Sequence, residues 1–257
     1  MTKSSQRVLL VGTGGIGSAV AKRLAADGRK IFATYHSNAS AVEALTQQLG
    51  SGPVVGSAAL DVTDVEAIHR VCGADGEAET ALGGPVDTVV VTTGYRHELS
   101  LLVKQEPTEI ERVITTELLG PTLVARAVLP SMNEQGFGRL VFIGSDSGKA
   151  GTLGDAASSA ARAGLMGLVK SLARETSRAD VTVNLVSPGP TDSPLLDGMV
   201  ADEASLTGKV MQGTVKAILK GRTGQPAEIA EAVAYFVGEN SGFTTGQTLS
   251  VSGGLTF

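Results

Sequence analysis

The chain has 257 residues, of which 42% are hydrophobic and 33 are glycine, a length and composition that fit one α/β domain. A formal net charge of −5 gives no reason to expect nucleic acid as a partner. The single cysteine, Cys72, excludes an internal disulfide and a thiolate metal cluster. Three histidines that lie far apart in sequence give no support for a metal site, so none is expected.

The sequence also argues against a membrane protein. It contains no uninterrupted apolar run of about 18 residues, the length that a membrane span requires. Residues 1–12 enter a β-rich run almost at once and lack the layout of a signal peptide. We therefore expect a cytoplasmic protein that does not contact a membrane.

Short apolar runs alternate with helical patterns along the whole chain. The runs predict strands at residues 7–11, 30–35, 54–60, 86–91, 139–143, 181–186 and 247–251. The helical patterns predict helices at residues 15–27, 39–49, 64–71, 109–132, 156–176 and 226–237. Because continuous apolar strands separated by helices are typical of buried parallel sheets, we predict an α/β fold. It would be a doubly wound parallel sheet of about seven strands with helices on both faces, a single domain over residues 1–257.

Two connections between these elements stand out. Residues 73–84 are polar and punctuated by glycine, and they predict a loose surface connection. Residues 188–213 are too long for a plain connection. Long segments of this kind often cover binding sites, so we predict a substrate lid at about residues 189–213.

A glycine-rich turn follows the first predicted strand and opens the first helix. Gly12, Gly14 and Gly17 form a GxGxxG pattern there. Glycines at this spacing allow a tight turn and a close approach to a pyrophosphate, which the helix N-terminus attracts. The position favours nucleotide binding, and a purely structural turn is the alternative.

The end of the second strand bears on the choice of cofactor. An acidic residue there would bind the ribose 2′-hydroxyl of NAD, but residues 33–38 contain none. Ser37, Asn38 or a charged His36 could instead hydrogen-bond the 2′-phosphate of NADP, so NADP(H) is favoured over NAD(H). An equally good interpretation is a polar turn in which Asn38 or Ser40 caps the next helix.

Asp61 and Val62 follow the third strand and are expected at the adenine. Asp61 could equally be a turn residue, with Thr63 as the cap of the following helix.

A further candidate site begins at Ser145, directly after the predicted strand 139–143. Ser158 and Arg162 lie four residues apart on the next helix and should share one face. Both would point toward Ser145 if the intervening loop folds back.

These motifs together resemble the short-chain dehydrogenase/reductase family, especially its 3-oxoacyl-carrier-protein reductase branch. The resemblance rests on the Gly15-Ile16-Gly17 end of the glycine turn, on Asp61-Val62, and on the segments 181–193 and 241–254. It implies a nicotinamide cofactor, whose further contacts would be Ile16, Gly94, Pro188, Gly189 and Thr191. It also implies a small substrate of acyl or polyketide type and a homodimer or homotetramer.

The catalytic residues of the family are only partly retained. The family uses asparagine, serine, tyrosine and lysine, and the matching positions here hold Glu117, Ser145, Ser158 and Arg162. In the family the tyrosine phenol is the general acid. Ser158 cannot replace it because an aliphatic hydroxyl is far harder to ionise, and Arg162 stays charged at any usable pH.

Two of the replacements have opposite charges, which predicts that Glu117 and Arg162 face each other. The pair could simply fill vacated polar space, or Glu117 could act as an acid/base group. Tyr95 and His97, which follow Gly94, could supply the missing proton, although an ordinary solvated loop is the favoured interpretation.

Three functions remain open from the sequence. The first is an NADP(H)-linked oxidoreductase on a small carbonyl or acyl substrate with an altered proton donor. The second is a non-redox lyase, isomerase, dehydratase or cyclase that uses Glu117, Tyr95 and Ser145, with the cofactor structural or absent. The third is a catalytically silent subunit.

Overall fold

Seven parallel strands form the centre of the structure, a computed structural model that describes residues 6–50, 52–95 and 98–257. The strands are β1 (Arg7–Val11), β2 (Lys30–Tyr35), β3 (Val54–Ala59), β4 (Thr88–Val91), β5 (Phe137–Ile143), β6 (Asp180–Pro188) and β7 (Thr248–Val251). Their order in the sheet is β3-β2-β1-β4-β5-β6-β7. The predicted doubly wound sheet is therefore confirmed, and the chain reverses its direction of travel across the sheet between β1 and β4. Ligands of such folds bind outside the carboxyl ends of the strands at this reversal.

Helices cover both faces of the sheet. Those of the described residues are α1 (Gly15–Ala26), α2 (Ala39–Leu49), α3 (Val65–Cys72), α4 (Glu77–Leu82), α5 (Pro107–Ile114), α6 (Gly120–Glu134), α7 (Ser147–Ala150), α8 (Ala156–Glu175), α9 (Pro194–Ala201), α10 (Leu206–Lys216) and α11 (Pro226–Phe236). Alternate residues of β1 pack against the helices on opposite faces of the sheet. Val8 and Leu10 pack in the cluster that contains Leu24 of α1, whereas Leu9 packs with Val128 of α6. Burial on both faces explains why the strands are continuously apolar.

The prediction of a loose connection over residues 73–84 was wrong, because this segment contains α4. The carboxylate of Glu79 accepts hydrogen bonds from the backbone N–H groups of Asp75 at 2.9 Å and Val86 at 3.3 Å. Ala78 and Leu82 are buried against the sheet. One acidic side chain therefore organises a segment whose composition resembles a surface loop.

The predicted long helix after β4 is interrupted by a wider π-helical segment, Thr115–Leu119, between α5 and α6. Such insertions widen one turn and often occur at functional sites. Glu117 lies in this segment. Among the described residues, the stretch Pro107–Glu134 alone has the length and hydropathy of a membrane-crossing helix. Buried core helices pass the same test, and Val128 and Met132 pack here in the core cluster.

The segment after β6 contains two helices, α9 and α10. The side chains of Ser193 and Ser205 cap them by accepting hydrogen bonds from backbone N–H groups. The backbone N–H of Leu99 donates to Thr207 Oγ1 at 3.0 Å, which ties α10 to the loop after β4. This arrangement places both helices over the carboxyl ends of β5 and β6. Their role as a substrate lid stays a prediction.

Candidate active site

Two cavities lie at the carboxyl edge of the sheet. The first, about 730 Å³, is lined by the glycine turn and the ends of β2, β3 and β4, and we call it the glycine-turn cavity. The second, about 970 Å³, is lined by Ser145, by residues 188–191 and by α9 and α10, and we call it the Ser145 cavity. Both lie where the sheet order predicts a ligand site.

Only some glycines of the turn are required by the local backbone geometry. Gly12 has a φ of +96°, and a Cβ atom at Gly17 would overlap the carbonyl oxygen of Gly12. A Cβ atom at Gly14 or Gly15, in contrast, would meet nothing within 4 Å. The turn therefore exposes backbone at the N-terminus of α1, an arrangement that suits a phosphate group.

Thr13 folds inward and anchors the turn to β2. Its Oγ1 donates to the carbonyl oxygen of Thr34 at 3.2 Å, and Gly12 N–H donates to Thr34 Oγ1 at 3.1 Å. These two hydrogen bonds hold the turn in place against β2.

The expected ribose and adenine residues line the glycine-turn cavity. His36 Nε2 lies 3.7 Å from Asp61 Oδ2. Burial alone would raise the pKa of Asp61, but hydrogen bonds from Thr63 and the nearby His36 lower that pKa overall. Ser37, Val62 and Gly94 line the same cavity.

The structure also shows which residues cap helices α2 and α3. Asn38 caps α2, because its side chain accepts from the N–H of Ala41. Thr63 does not cap α3, since Asp64 takes that position and Thr63 instead donates to Asp61. Neither of these two caps prevents His36, Ser37 or Asp61 from contacting a ligand.

Ser145 begins the loop after β5, and its neighbours determine what its hydroxyl does. Its Oγ accepts from Ser147 N–H at 3.2 Å and from Ser147 Oγ at 3.1 Å. Within the described residues, the hydroxyl of Ser145 donates to no acceptor. The hydroxyl is therefore left to donate toward the cavity that it lines. Ile16, Pro188, Gly189 and Thr191 line the same cavity.

The predicted pairing of Glu117 with Arg162 is confirmed. Arg162 Nη2 donates to Glu117 Oε1 at 2.7 Å, and Ser158 Oγ donates to Glu117 Oε2 at 2.6 Å. The backbone N–H of Tyr95 donates to Glu117 Oε1 at 3.0 Å. Charge-assisted hydrogen bonds of this kind are among the stronger ones in proteins. We call Glu117, Ser158 and Arg162 the buried triad.

The buried triad is closed to solvent. Glu117, Ser158 and Arg162 are 2%, 6% and 8% exposed. Arg162 Nη1 also donates to the carbonyl oxygens of Thr93 and Ile143 at 3.3 and 3.2 Å, at the ends of β4 and β5. None of the described residues that line the two cavities belongs to the triad. At the position where the resembling family has its proton donor, this chain has a hydrogen-bonded network that joins the ends of strands to helices.

Tyr95 does not join Ser145. Its hydroxyl donates to Glu109 Oε2 at 3.4 Å and accepts from Arg112 Nη1 at 3.1 Å. Tyr95 and Arg112 line the glycine-turn cavity, whereas Ser145 lines the other one. His97, the other candidate donor, lies outside the described residues.

A polar network next to Ser145 was missed from the sequence. The buried carboxylate of Asp146 accepts from Ser250 Oγ at 3.1 Å and from Thr256 Oγ1. Lys149 Nζ donates to Ser250 Oγ at 2.7 Å. The network joins the loop after β5 to β7 and the residues that follow it. Its members are about 100 residues apart, so no local pattern could have revealed it.

Comparisons with known proteins agree with this fold. The profile of the family described as enoyl-(acyl carrier protein) reductase matches residues 11–256. The chain belongs to the short-chain dehydrogenase/reductase family. Within that family its similarity is to oxidoreductases of the 3-oxoacyl and ketoreductase type.

Three relatives show how far the similarity extends. The 3-oxoacyl-(acyl-carrier-protein) reductase MabA of Mycobacterium tuberculosis is 35% identical over 254 residues, which cover 98% of this chain and 93% of MabA. The reductase FabG of Escherichia coli, of the same type, is 34% identical and covers 94% of this chain and 93% of FabG. The acetoacetyl-CoA reductase of Allochromatium vinosum is 35% identical, and the match covers 97% of this chain and 98% of the length of that reductase.

A solved structure is similar over its whole length. It is a single-residue variant of actinorhodin polyketide ketoreductase with NADPH, with a TM-score of 0.86. It is 30% identical and covers 99% of both chains.

Proposed function

We propose that this protein binds NADPH and reduces a carbonyl group on a small acyl or ketide-like substrate, without the tyrosine acid of its family. The observation that carries the proposal is the hydroxyl of Ser145. Its oxygen accepts from Ser147, and Ser145 lines the cavity, so its hydroxyl can donate to a group bound there. A hydroxyl so placed stabilises negative charge on a carbonyl oxygen.

The residues of the cleft fit a dinucleotide. The open backbone at Gly14 and Gly15 suits a pyrophosphate, since no side chain shields the N-terminus of α1. Ser37 and His36 at the end of β2 suit a 2′-phosphate, and the absence of an acid among residues 33–38 disfavours NADH. When bound, the cofactor supplies a hydride. Ile16, Pro188, Gly189 and Thr191 would orient its nicotinamide end beside Ser145.

The proton would come from water rather than from a tyrosine. The oxygen of the reduced carbonyl needs one proton, and the buried triad offers none to the cavity. General acid catalysis contributes roughly 10²–10⁴-fold, so its loss slows the reaction without preventing it. A slow reductase is therefore the function that we infer.

The arrangement of Glu117 argues against the non-redox alternative. Both carboxylate oxygens already accept hydrogen bonds, from three donors in all. A group so engaged and only 2% exposed is poorly placed to move protons on a substrate. Tyr95, the other acid of that alternative, contacts Glu109 and Arg112 instead.

The first experiment measures cofactor binding. Nicotinamide fluorescence is titrated with NADPH and NADH, and tighter binding of NADPH is expected. The second measures NADPH oxidation with 3-oxoacyl thioesters of increasing chain length. Slow oxidation that Ser145→Ala reduces further, with an unchanged NADPH Kd, supports the proposal. Ser177→Ala is the control, because Ser177 is exposed and lines neither cavity.

The outcomes separate the three functions. No cofactor binding would overturn the proposal. Binding without turnover of any thioester would favour a silent subunit or non-redox chemistry. Equal oxidation rates for Ser145→Ala and the wild type would show that Ser145 takes no part in the reaction.

We also propose a homo-oligomer that pairs α6 and α8. A groove of about 320 Å³ runs between them, lined by apolar side chains such as Leu129, Leu168 and Leu172. Gly167 on α8 leaves open space at this surface, since a Cβ atom there would meet nothing within 4 Å. Light scattering tests this: Leu129→Glu should lower the mass to that of one chain, and an unchanged mass would contradict the proposed contact.

A further inference from the structure

The Ser145 cavity has an apolar body. Its walls include Leu99, Leu153, Leu196, Met199, Leu206 and Met211, contributed by two loops and by α9 and α10. Leu153 is 61% exposed, although it borders a cavity. Exposed apolar side chains around a cavity of about 970 Å³ are typical of a site for an apolar ligand.

The charged side chains of the cavity have an asymmetric distribution. Among the described residues that line it, the ionisable side chains other than hydroxyls are Asp146, Asp155 and Lys209. Asp146 and Asp155 are buried, at 4% and 8% exposure. Asp146 adjoins Ser145 at the inner end, where Ser250 Oγ links its carboxylate to the ammonium group of Lys149. Lys209 is exposed, and its ammonium group makes no ion pair or hydrogen bond with the rest of the described chain.

The backbone that carries Lys209 is held firmly. Ser205 Oγ accepts from Gly208 N–H at 2.9 Å, and Thr207 Oγ1 accepts from Leu99 N–H at 3.0 Å. A Cβ atom at Gly208 would overlap the carbonyl oxygen of Asp202, so α9 and α10 meet at close range there. An unpaired cation on a fixed helix is thus presented at the cavity.

We propose that Lys209 binds an anionic group, a carboxylate or a phosphate, at one end of an amphiphilic substrate whose apolar body fills the Ser145 cavity. The exposed cation of Lys209, at the other end of the cavity from Ser145, orients that substrate. Its neutral carbonyl lies toward Ser145 and its anion lies at α10. The inference rests on the proposed function only in taking this cavity as the substrate site.

Binding of a fluorescent amphiphile tests the inference without cofactor or turnover. The probes are dansylamino-undecanoic acid and its neutral methyl ester. The acid should bind about two- to fivefold more tightly, the effect of one partly solvated ion pair. Lys209→Gln should abolish this difference, and high salt should reduce it. Lys216→Gln on the same helix is the control, because Lys216 does not line the cavity.

Competition identifies the anion. Dodecanoate and dodecyl phosphate are each used to displace the acid probe, and the tighter competitor shows whether carboxylate or phosphate is preferred. Equal affinity for acid and ester, an acid preference that survives Lys209→Gln, or no binding of either probe would overturn the inference. Failure of the reductase proposal appears separately, in the NADPH titration.

Discussion

Arg162 Nη2 donates to Glu117 Oε1 at 2.7 Å, and both side chains are buried. The two residues occupy positions at which the family has lysine and asparagine. Together with Ser158 they bind one another rather than a ligand. The proposed reduction therefore relies on Ser145 and not on these three side chains.

Removing the charge of Glu117 should destabilise the fold. Glu117→Gln leaves Arg162 buried without its counter-ion, and breaking a buried pair in this way costs about 3 kcal/mol or more. Urea unfolding measures the change. Glu228→Gln breaks the exposed Arg222–Glu228 pair, which has the same 2.7 Å distance, and should have little effect. Equal losses in the two variants would show that burial of the Glu117 pair does not matter.

Restoring the family residues should raise reductase activity, but only when all three positions change. With Ser158→Tyr and Arg162→Lys alone, Glu117 remains to bind the new ammonium group and hold it away from the phenol. Adding Glu117→Asn frees the lysine to lower the phenol pKa. NADPH oxidation with a 3-oxoacyl thioester should then rise by about 10²-fold or more. A folded, NADPH-binding triple variant without this gain would show that the hydride geometry itself is lost.

Two glycines of the turn should respond differently to alanine. Gly17→Ala places a methyl group against the carbonyl oxygen of Gly12, and such overpacking costs about 1–3 kcal/mol. Gly15→Ala meets nothing within 4 Å and should be neutral or slightly stabilising. Urea unfolding of both variants checks this, and a larger loss in Gly15→Ala would contradict the geometry of the turn.

Cys72 should make stability fall at alkaline pH. Burial raises the pKa of its thiol from 9.0 to about 12, so the folded state keeps a proton that the unfolded state loses. Between about pH 9 and 12 the unfolded state binds fewer protons, and stability falls by up to about 1.4 kcal/mol per pH unit. Unfolding of wild type and Cys72→Ala is compared over this range. Parallel pH profiles for the two proteins would exclude the effect.

The sequence predicted the elements whose signals are local. The seven apolar runs marked the strands, and Gly12, Gly14 and Gly17 marked the turn at the switch point. The opposite charges of Glu117 and Arg162 predicted the ion pair correctly, because buried opposite charges are stable in a low-dielectric interior only when they meet. The helix α4 was missed, since the two backbone hydrogen bonds to Glu79 leave no compositional signal.

The sequence by itself determined the doubly wound sheet, the glycine turn and the position of Ser145, because hydrophobic period and residue spacing carry that information. Only the tertiary structure decided which polar groups line the cavities and which bind one another. In it Glu117, Ser158 and Arg162 bind one another, and the hydroxyl of Tyr95 contacts Arg112. Lys209 lies at the Ser145 cavity with no ion pair to any described residue. The direction and burial of a side chain depend on packing between elements far apart in sequence, and no local pattern specifies them.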